Sequence, residues 1–338
     1  MNKRERFQAF LNNEPADRAP AAFFHHYTTA QEYVTGLKEP RFFEKNVAGH
    51  LVSRKQDDPD ILKIMNDVLM LMPVDCSMVK EAKDLKDIIP PDMDSLYVQK
   101  TRELTERVLK YWEGEDLPVF ATGFSPLFVL DYALKFADSQ HVSHLAEYAA
   151  ADPEAFTIAL EKIEDITVKI FRMLMDDYHL NGIYFSVNNQ NHLLPDETYR
   201  ELVTPVEKRI LMAINDKGTS ILHICGYGGL TNNVHLYEDY DASAINWAVH
   251  AEGVSLREGK ELFHGKPVMG GFAQNTIIYK GTEEEIKAEV KRILDDAGQV
   301  GVMIGADCTV PNDIDEKHFA WVREACEEYA GGHSEEAV

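Results

Sequence analysis

Cysteine, basic residues and long apolar stretches are all scarce in this sequence. Its four cysteines among 338 residues are too few for the disulfide framework of a secreted protein, and are better explained as packed thiols or metal ligands. No segment approaches the roughly 20 uninterrupted apolar residues of a membrane span, and the N-terminus lacks the apolar core of a signal peptide. We therefore expect a cytoplasmic protein with no membrane partner.

Positive charge is in deficit, because 34 lysines and arginines stand against 57 aspartates and glutamates. The net charge of −23 would repel the phosphate backbone of nucleic acid, which is therefore not an expected partner. Hydrophobic residues make up 45% of the chain and charged residues 27%, which are ordinary proportions for a globular enzyme. We expect a small-molecule substrate and a monomer or homodimer.

Short apolar runs alternate with longer amphipathic stretches, as in strands that feed crossover helices into a parallel sheet. About eight units are present, as a closed barrel requires. The prediction is an α/β fold, a single (β/α)8 TIM barrel over residues 1–330, with a disordered tail at 331–338. The segment 41–67 is predicted to be an insertion after the first strand that shapes the active-site mouth. The predicted strands are residues 19–25, 68–72, 118–123, 182–187, 220–225, 244–247, 267–271 and 302–305.

Helix-start signals lie between the predicted strands. Asp152-Pro153-Glu154 combines an N-cap, a proline at the first helical position and an acidic first turn, and predicts a helix that ends near residue 178. Thr282 and Glu285 form a capping box for the helix before the last strand. Residues 3–11 predict a short amphipathic helix that extends the N-terminus across the barrel floor.

Two ligand-type residues, His223 and Cys225, end the fifth predicted strand. They are two positions apart, so the geometry of a strand points both side chains the same way. Cys308 follows the eighth predicted strand, and barrel enzymes carry their chemistry on these strand ends. One imidazole and two thiolates suit Zn²⁺, and three protein ligands leave a fourth position open, as in a catalytic site. The alternative is that the three side chains fill the core, as we expect for Cys76 and Cys326.

Several further sequence segments are unspecific when taken singly. The order in which they occur along the chain is more specific. On these segments the chain resembles the uroporphyrinogen decarboxylase superfamily over nearly its whole length. Within the superfamily it is most similar to the corrinoid-dependent methyltransferase branch, which includes methylcobalamin:coenzyme M methyltransferases. The segments are Arg4-Glu5-Arg6-Phe7, Pro15-Ala16-Asp17-Arg18-Ala19-Pro20, Gly123-Phe124-Ser125-Pro126, His223-Ile224-Cys225-Gly226, Ile245-Asn246-Trp247, Gly270-Gly271 and residues 305–311.

The resemblance implies roles for the candidate ligands. In the methyltransferase branch a His-x-Cys pair and a distant cysteine bind zinc, and the metal activates a thiol that accepts a methyl group from a cobalt-bound donor. By resemblance, His223, Cys225 and Cys308 take those roles. Methylcobalamin or another corrinoid is the implied cofactor, and a corrinoid carrier protein is a possible partner, since this chain lacks the histidine-rich loop of such a carrier.

The chain departs from the decarboxylases of the same superfamily after the first predicted strand. Those enzymes carry an arginine-rich segment there, which binds the carboxylate groups of a tetrapyrrole. Here the segment reads Phe23-Phe24-His25-His26-Tyr27-Thr28-Thr29, without arginine. A substrate with many carboxylates would lose its main electrostatic partners. Uroporphyrinogen decarboxylation, a step of porphyrin biosynthesis, is therefore the alternative function.

Other polar residues are predicted at the barrel mouth. His25, His26 and Asp307 are candidate catalytic residues. Either histidine could be a fourth metal ligand, a hydrogen-bond donor to the substrate or a proton carrier, and Asp307 could carry a proton or orient a ligand or substrate. Only one of the two adjacent histidines can face inward from a strand. Candidate substrate-binding residues that could form a hydrogen-bonding wall or line the pocket are Asn188, Gln190, Asn191, Trp247 and Gln274, although asparagine also favours turns.

Three functions remain open from the sequence. The first is a zinc-dependent methyltransferase that moves a methyl group between a corrinoid and a thiol or similar acceptor. The second is a metal-independent decarboxylase of a tetrapyrrole or other carboxylic acid, in which His25 or His26 and Asp307 handle protons. The third is a corrinoid-binding or corrinoid-sensing module without turnover.

Overall fold

The computed structural model describes residues 1–56 and 58–335, except the side chains of residues 34, 54–56, 191 and 333–335. Its parallel strands form one seven-stranded sheet, in which each strand pairs with the next along the chain. Sequential pairing of this kind is the topology of a (β/α)8 barrel. The strands are β1 Leu62–Ile64, β2 Val119–Phe124, β3 Gly182–Val187, β4 Thr219–Ile224, β5 Ala244–Trp247, β6 Val268–Phe272 and β7 Val302–Ala306.

The gap between β7 and β1 is closed by the first predicted strand, residues 19–25. The N–H of Ala22 donates to the carbonyl of Ile304 in β7 at 3.0 Å, and the N–H of Asp60 donates to the carbonyl of Ala21 at 3.0 Å. The segment joins the sheet through isolated bridges and not through a continuous ladder, because Pro20 has no N–H to donate. It occupies the eighth strand position, so the predicted single barrel is confirmed.

The predicted second strand, residues 68–72, is wrong. A short 3-10 helix, Asp67–Leu69, begins there, and the strand at this position is β1. Lys63 lies at the centre of β1 and interrupts the apolar run that marks the other strands, although its side chain is buried. The predicted insertion at 41–67 is therefore present but shorter than expected, because its last residues belong to the sheet.

Helices follow the strands on the outside of the barrel. The predicted N-terminal helix, the long helix that begins at Pro153 and the helix capped by Thr282 and Glu285 are all confirmed. The α-helices are α1 Lys3–Leu11, α2 Ala30–Thr35, α3 Pro40–Gln56, α4 Leu96–Tyr111, α5 Pro126–Ala137, α6 Leu145–Ala151, α7 Pro153–Asp177, α8 Asp196–Thr198, α9 Thr204–Asn215, α10 Val249–Glu252, α11 Leu256–Leu262, α12 Ile277–Lys280, α13 Glu283–Ala297 and α14 Lys317–Glu335. Helix α14 continues past residue 331, where the tail was predicted to begin, and residues 336–338 lie outside the described part.

The lower half of the barrel is filled with apolar side chains. Phe7 and Phe10 of α1 pack beneath the strands, and the ring of Phe7 meets that of Phe120 from β2 at 5.5 Å in an edge-to-face contact. Tyr184 and Met269 continue this inner cluster towards the carboxyl ends of the strands. The barrel is thus a packed core, and the candidate ligands lie above it at the carboxyl ends of the strands.

Two of the motif arginines hold the barrel closed from below. Asp60 is fully buried and accepts hydrogen bonds from Arg6 at 2.6 Å, from Arg18 at 2.7 Å and from the N–H of Ala21 at 2.7 Å. The carboxylate therefore ties α1, the eighth strand position and the start of β1 together. This explains in structural terms why arginines occur at these positions of the N-terminal segment.

A second buried carboxylate, Glu207 of α9, lies among tyrosines outside the barrel. The hydroxyls of Tyr199 and Tyr240 donate to it at 2.9 and 2.6 Å. Burial raises the pKa of Glu207 to about 7, although hydrogen bonds from Ser125 and these tyrosines oppose the shift. The cluster joins α9 to the loops that follow β2 and β4.

None of the described helices is both long and apolar enough to cross a membrane.

We expect Asp60→Asn to lower the free energy of unfolding by about 3–5 kcal/mol, because two buried guanidinium groups would lose their carboxylate. Urea unfolding followed by far-UV circular dichroism measures this. Asp58→Asn is the matched control, since Asp58 is exposed and pairs with Lys3 at the surface, where ion pairs contribute little. Equal stability of the two variants would contradict the role given to Asp60.

We expect the stability of the wild type to fall, relative to Glu207→Gln, as the pH rises from 4.5 to 7. The carboxyl group of Glu207 titrates near 4.5 in the unfolded chain and near 7 in the folded protein. Protonation of Glu207 therefore stabilises the folded state, and this stabilisation is lost as the pH rises from 4.5 to 7. The difference amounts to about 3 kcal/mol. Parallel stability curves for the two proteins between these pH values would refute it.

Candidate metal centre

The structure brings the three predicted ligands to one point above the barrel core. His223 lies near the end of β4, Cys225 directly follows that strand, and Cys308 comes two residues after β7. The sulfur atoms of the cysteines are 4.0 Å apart, and Nε2 of His223 is 3.7 Å from Sγ of Cys308. All three atoms lie within 4.8 Å of one another. Residues 83 and 85 positions apart in sequence therefore share one site.

These separations suit a tetrahedral zinc ion. Zinc–sulfur bonds of about 2.3 Å and zinc–nitrogen bonds of about 2.0 Å put two sulfur ligands about 3.8 Å apart and a sulfur and a nitrogen about 3.5 Å apart. The observed 4.0 and 3.7 Å agree within a few tenths of an ångström. A disulfide would need the sulfurs at about 2.05 Å. The donor set and its spacing thus fit zinc with one coordination position left over.

Asn246 on β5 sets the orientation of the His223 ring. Its amide nitrogen donates to the carbonyls of Met269 at 2.9 Å and of Ala306 at 3.1 Å, which turns its oxygen towards Nδ1 of His223. The same oxygen accepts the hydroxyl of Tyr184 at 2.8 Å. Because Nδ1 donates to this oxygen, the proton resides there, and Nε2 faces the sulfurs with its lone pair, as a metal ligand requires.

A hydrogen bond between the two thiols shifts their pKa values in opposite directions. A hydrogen bond from Cys225 holds the pKa of Cys308 well below its usual range, and His223 and Lys63 act in the same direction. The same hydrogen bond, together with burial, raises the pKa of Cys225. A cation that binds here would displace the protons from both thiols.

Lys63 is the charged residue that the sequence reasoning missed. Its side chain is 7% exposed, and its ammonium lies over the rings of Tyr184 at 4.2 Å and Phe24 at 5.0 Å. Burial lowers the pKa of Lys63 to about 8, while the negative charge of Cys308 and Cys225 opposes the shift. At pH 7 it is a cation inside the barrel.

Lys63, His223 and Cys308 line the same small cavity, together with Tyr184 and Thr309. Its volume is about 20 Å³, which holds about one water molecule. The inner site therefore admits a single reacting atom and its immediate neighbours. Any larger part of a substrate must lie between the loops above this cavity.

His26 is the predicted histidine with a defined partner. Its Nδ1 lies 2.8 Å from Asp67, whose other oxygen accepts the N–H groups of Tyr27 and Thr28. Although burial raises it, the hydrogen bonds from His26 and these amides hold the pKa of Asp67 below its usual range. The ionised carboxylate keeps the proton on Nδ1 of His26 and leaves Nε2 as a base.

The neighbouring histidine, His25, points elsewhere. Its Nδ1 is 3.2 Å from the carbonyl of His26, and its Nε2 is 3.8 Å from Glu316. The carboxylate of Asp307 accepts the N–H groups of Val249 at 3.1 Å and of His250 at 3.3 Å, and therefore caps α10. Burial raises the pKa of Asp307 to about 7.

Of the predicted substrate-binding residues, Gln190 lies at the cluster. Its amide donates to the carbonyl of Cys225 at 2.7 Å and lies 3.8 Å from the sulfur. Asn188 is half-buried at the end of β3, and Gln274 is buried just after β6. The side chain of Asn191 lies outside the described part of the structure.

Trp247 does not reach the cluster. Its indole N–H donates to the carbonyl of Val254 at 2.9 Å, and its ring packs against Phe263 and over Gly259 of α11. On β5 the side chains alternate between the two faces of the sheet, so Asn246 points into the barrel and Trp247 points out. That alternation was the available signal for the role of Asn246. No such signal exists for Asp67, which lies at the edge of the predicted insertion.

Strands, candidate ligands and their supporting residues together describe a barrel enzyme with its site at the carboxyl ends of the strands. The profile of the family described as uroporphyrinogen decarboxylase (URO-D) matches residues 66–329, which is most of the chain. This protein therefore belongs to the uroporphyrinogen decarboxylase family.

Two relatives carry the name uroporphyrinogen decarboxylase. That of Syntrophotalea carbinolica is 24% identical over 227 residues, which cover 66% of this chain and 62% of the relative. That of Geobacter metallireducens is 21% identical over 219 residues, which cover 62% of this chain and 59% of the relative. The chain thus spans less than two thirds of the length of either relative.

Solved structures share the whole fold. A methyltransferase from Methanosarcina mazei matches with a TM-score of 0.69 at 17% identity, over 97% of this chain and 99% of that one. A B12-independent methionine synthase from Shewanella sp. W3-18-1 matches with a TM-score of 0.57 at 13% identity, over 93% and 94% of the two chains. At these identities the likeness shows a common barrel fold.

We expect Asn246→Leu to weaken zinc binding by about tenfold to a hundredfold, because His223 would lose the acceptor that fixes its tautomer and ring orientation. Competition with a chromophoric chelator measures the affinity. Asn215→Leu is the control, since Asn215 bonds to Asp241 and Ser220 below the barrel. An unchanged zinc affinity in Asn246→Leu would show that the ring needs no such support.

Proposed function

We propose that this protein is a zinc-dependent methyltransferase that moves a methyl group between a corrinoid and a thiol or similar acceptor. The observation that carries the proposal is the convergence of His223, Cys225 and Cys308 at separations that suit a tetrahedral ion. A decarboxylase that works without metal has no need of two sulfurs and an oriented imidazole. A methyltransferase is also among the solved structures that share the fold.

The residues that would hold zinc are His223, Cys225 and Cys308. When bound, zinc supplies a Lewis acid that keeps an acceptor thiol deprotonated at neutral pH. Asn246 keeps the Nε2 lone pair of the histidine directed at the two sulfurs. Gln190 and Asn232 both donate to the carbonyl of Cys225 and so fix the backbone from which this ligand projects.

The proton of the acceptor thiol needs a base, and His26 is the residue we assign to it. Its ring lies 5.1 Å from that of Tyr33 and 6.5 Å from that of Tyr227, at the mouth above the cysteines. Burial raises the pKa of Tyr33, with further contributions from the negative charges of Asp67 and Cys308. Tyr33 is thus next to His26 and within the electrostatic influence of both Asp67 and Cys308.

The group transfer balances without a further reactant. The acceptor sulfur would form a bond to the methyl carbon while the cobalt–carbon bond of the donor breaks, and the electron pair of that bond would remain on the donor. The thiol proton goes to Nε2 of His26 and from there to solvent. A cavity of about 20 Å³ has no room for a corrinoid ring. The donor must therefore approach from above, either free or on a carrier protein.

Decarboxylation of uroporphyrinogen remains a second candidate, because two relatives bear that name. The barrel mouth offers little to a substrate with many carboxylates. The segment from residue 23 to residue 29 has no arginine, and Lys63 is the one cation that lines the cavity beside the cysteines in the described part. Purified protein that turns over uroporphyrinogen would favour this function.

The direct test is a methyl-transfer assay with methylcobalamin and 2-mercaptoethanol, followed by the change in the cobalamin spectrum. We expect turnover by the zinc-loaded wild type and its loss in Cys308→Ala, together with most of the bound zinc. Cys326→Ala is the matched control, since that thiol is buried on α14 near the Arg18–Asp60 pair, and this variant should keep both metal and turnover.

We expect His26→Gln to keep its zinc but to lose turnover below the pKa of the free thiol, because no base then removes the proton. At higher pH the thiolate is already present and part of the rate should return. Active protein with almost no zinc would refute the proposal. Binding of cobalamin without any turnover would point instead to a corrinoid-binding module.

A further inference from the structure

Lys63 has no anionic partner of the kind that a buried cation normally requires. Buried lysines are rare unless they are paired. In the described part of the chain, no carboxylate lies within ion-pair distance of its ammonium, and its contacts are the faces of Tyr184 and Phe24. Cation–π contacts contribute to such a site but are weak beside the cost of burying an unpaired charge. A partner is therefore missing.

The position of Lys63 shows where such a partner would lie. Its side chain lines the same cavity as His223 and Cys308, on the side of β1 that faces β3 across the interior. The nearest groups able to carry negative charge are the two cysteines, which raise the pKa of the lysine against the effect of burial. Among the described residues, Asp67 also raises the pKa of Lys63, but by less than either cysteine.

The summed charge of the metal site and Lys63 indicates what kind of group the missing partner is. A divalent cation with two thiolates and a neutral imidazole carries no net charge, and this set leaves the lysine cation unbalanced. A third thiolate in the open position would bring one more negative charge. The ammonium would balance it, which matters because an unbalanced buried charge is costly. A neutral ligand in that position would leave the imbalance as it was.

We propose that Lys63 selects an anionic thiolate as the acceptor, by pairing with the negative charge that the acceptor brings into the cavity beside Cys308. This inference rests on the proposed function. It makes Lys63 a specificity-determining residue of the metal centre. It also narrows the acceptor from a thiol or similar group to a thiol bound as its thiolate, in preference to thioethers, amines and water.

The test uses full-length protein loaded with Co²⁺ in place of zinc, because the thiolate-to-cobalt absorption reports ligand binding directly and without turnover. Wild type and Lys63→Met are titrated with 2-mercaptoethanol and, as a neutral ligand, with imidazole. Methionine fills a similar volume and removes the charge. We expect Lys63→Met to bind 2-mercaptoethanol about tenfold more weakly or worse, with imidazole affinity within threefold of wild type.

The controls separate this inference from the function on which it rests. Lys266→Met makes the same change at the opposite end of the barrel, where Lys266 pairs with Asp241, and should bind both ligands as wild type does. If Lys63→Met does not fold, Lys63→Gln takes its place in the same titrations. A merely structural lysine would lower the melting temperature when replaced and would weaken both ligands equally.

Three results would overturn the inference. Equal affinity of wild type and Lys63→Met for 2-mercaptoethanol, at equal cobalt content, would overturn the role of Lys63 alone. Weakening of imidazole by the same factor as the thiol would also overturn it, because charge would not be what is selected. Wild-type protein that binds neither cobalt nor 2-mercaptoethanol would overturn the proposed function together with the inference.

Discussion

The hydrogen bond between His223 and Asn246 is the interaction on which the candidate site depends. Asn246 on β5 donates to carbonyls of β6 and β7 and accepts from Tyr184 of β3 and His223 of β4. One side chain thereby connects five neighbouring strands. These four partners fix the orientation of the Asn246 side chain. Asn246 in turn fixes the direction of the lone pair on Nε2 of His223. The barrel thus supplies a rigid support for His223, whereas Cys225 and Cys308 lie in the loops that follow β4 and β7.

Electrostatics distinguishes the upper end of the barrel from the rest of an acidic protein. The chain carries a net charge of −23, yet its inner cavity contains a lysine and no carboxylate. The sulfur atoms next to it are the groups that carry negative charge. Carboxylates elsewhere in the interior, Asp60 and Glu207, are enclosed by arginine or tyrosine donors and hold the fold together. The buried carboxylates therefore stabilise the fold, whereas the buried lysine belongs to the candidate metal site.

Much of this could be predicted from the sequence, because strand periodicity and helix caps are local. The alternation of His223 and Cys225 placed both on one face of a strand, and the end of β7 placed Cys308 at the same edge of the sheet. Lys63 could not be found in this way, since a charged residue in a short apolar run argues against a strand. Asp67 was missed for a related reason, because its partners are His26 and two backbone amides brought to it by the fold. Trp247 was assigned to the mouth although the alternation that places Asn246 inside directs the indole outwards.

The central claim is that one imidazole and two thiolates bind a metal ion in a single site. X-ray absorption at the zinc edge, on protein purified without added metal, measures the number and type of ligands directly. We predict one zinc ion per chain with two sulfur neighbours, one imidazole and one further light atom or thiol. A spectrum with oxygen and nitrogen neighbours alone, or active protein that contains no zinc, would contradict it.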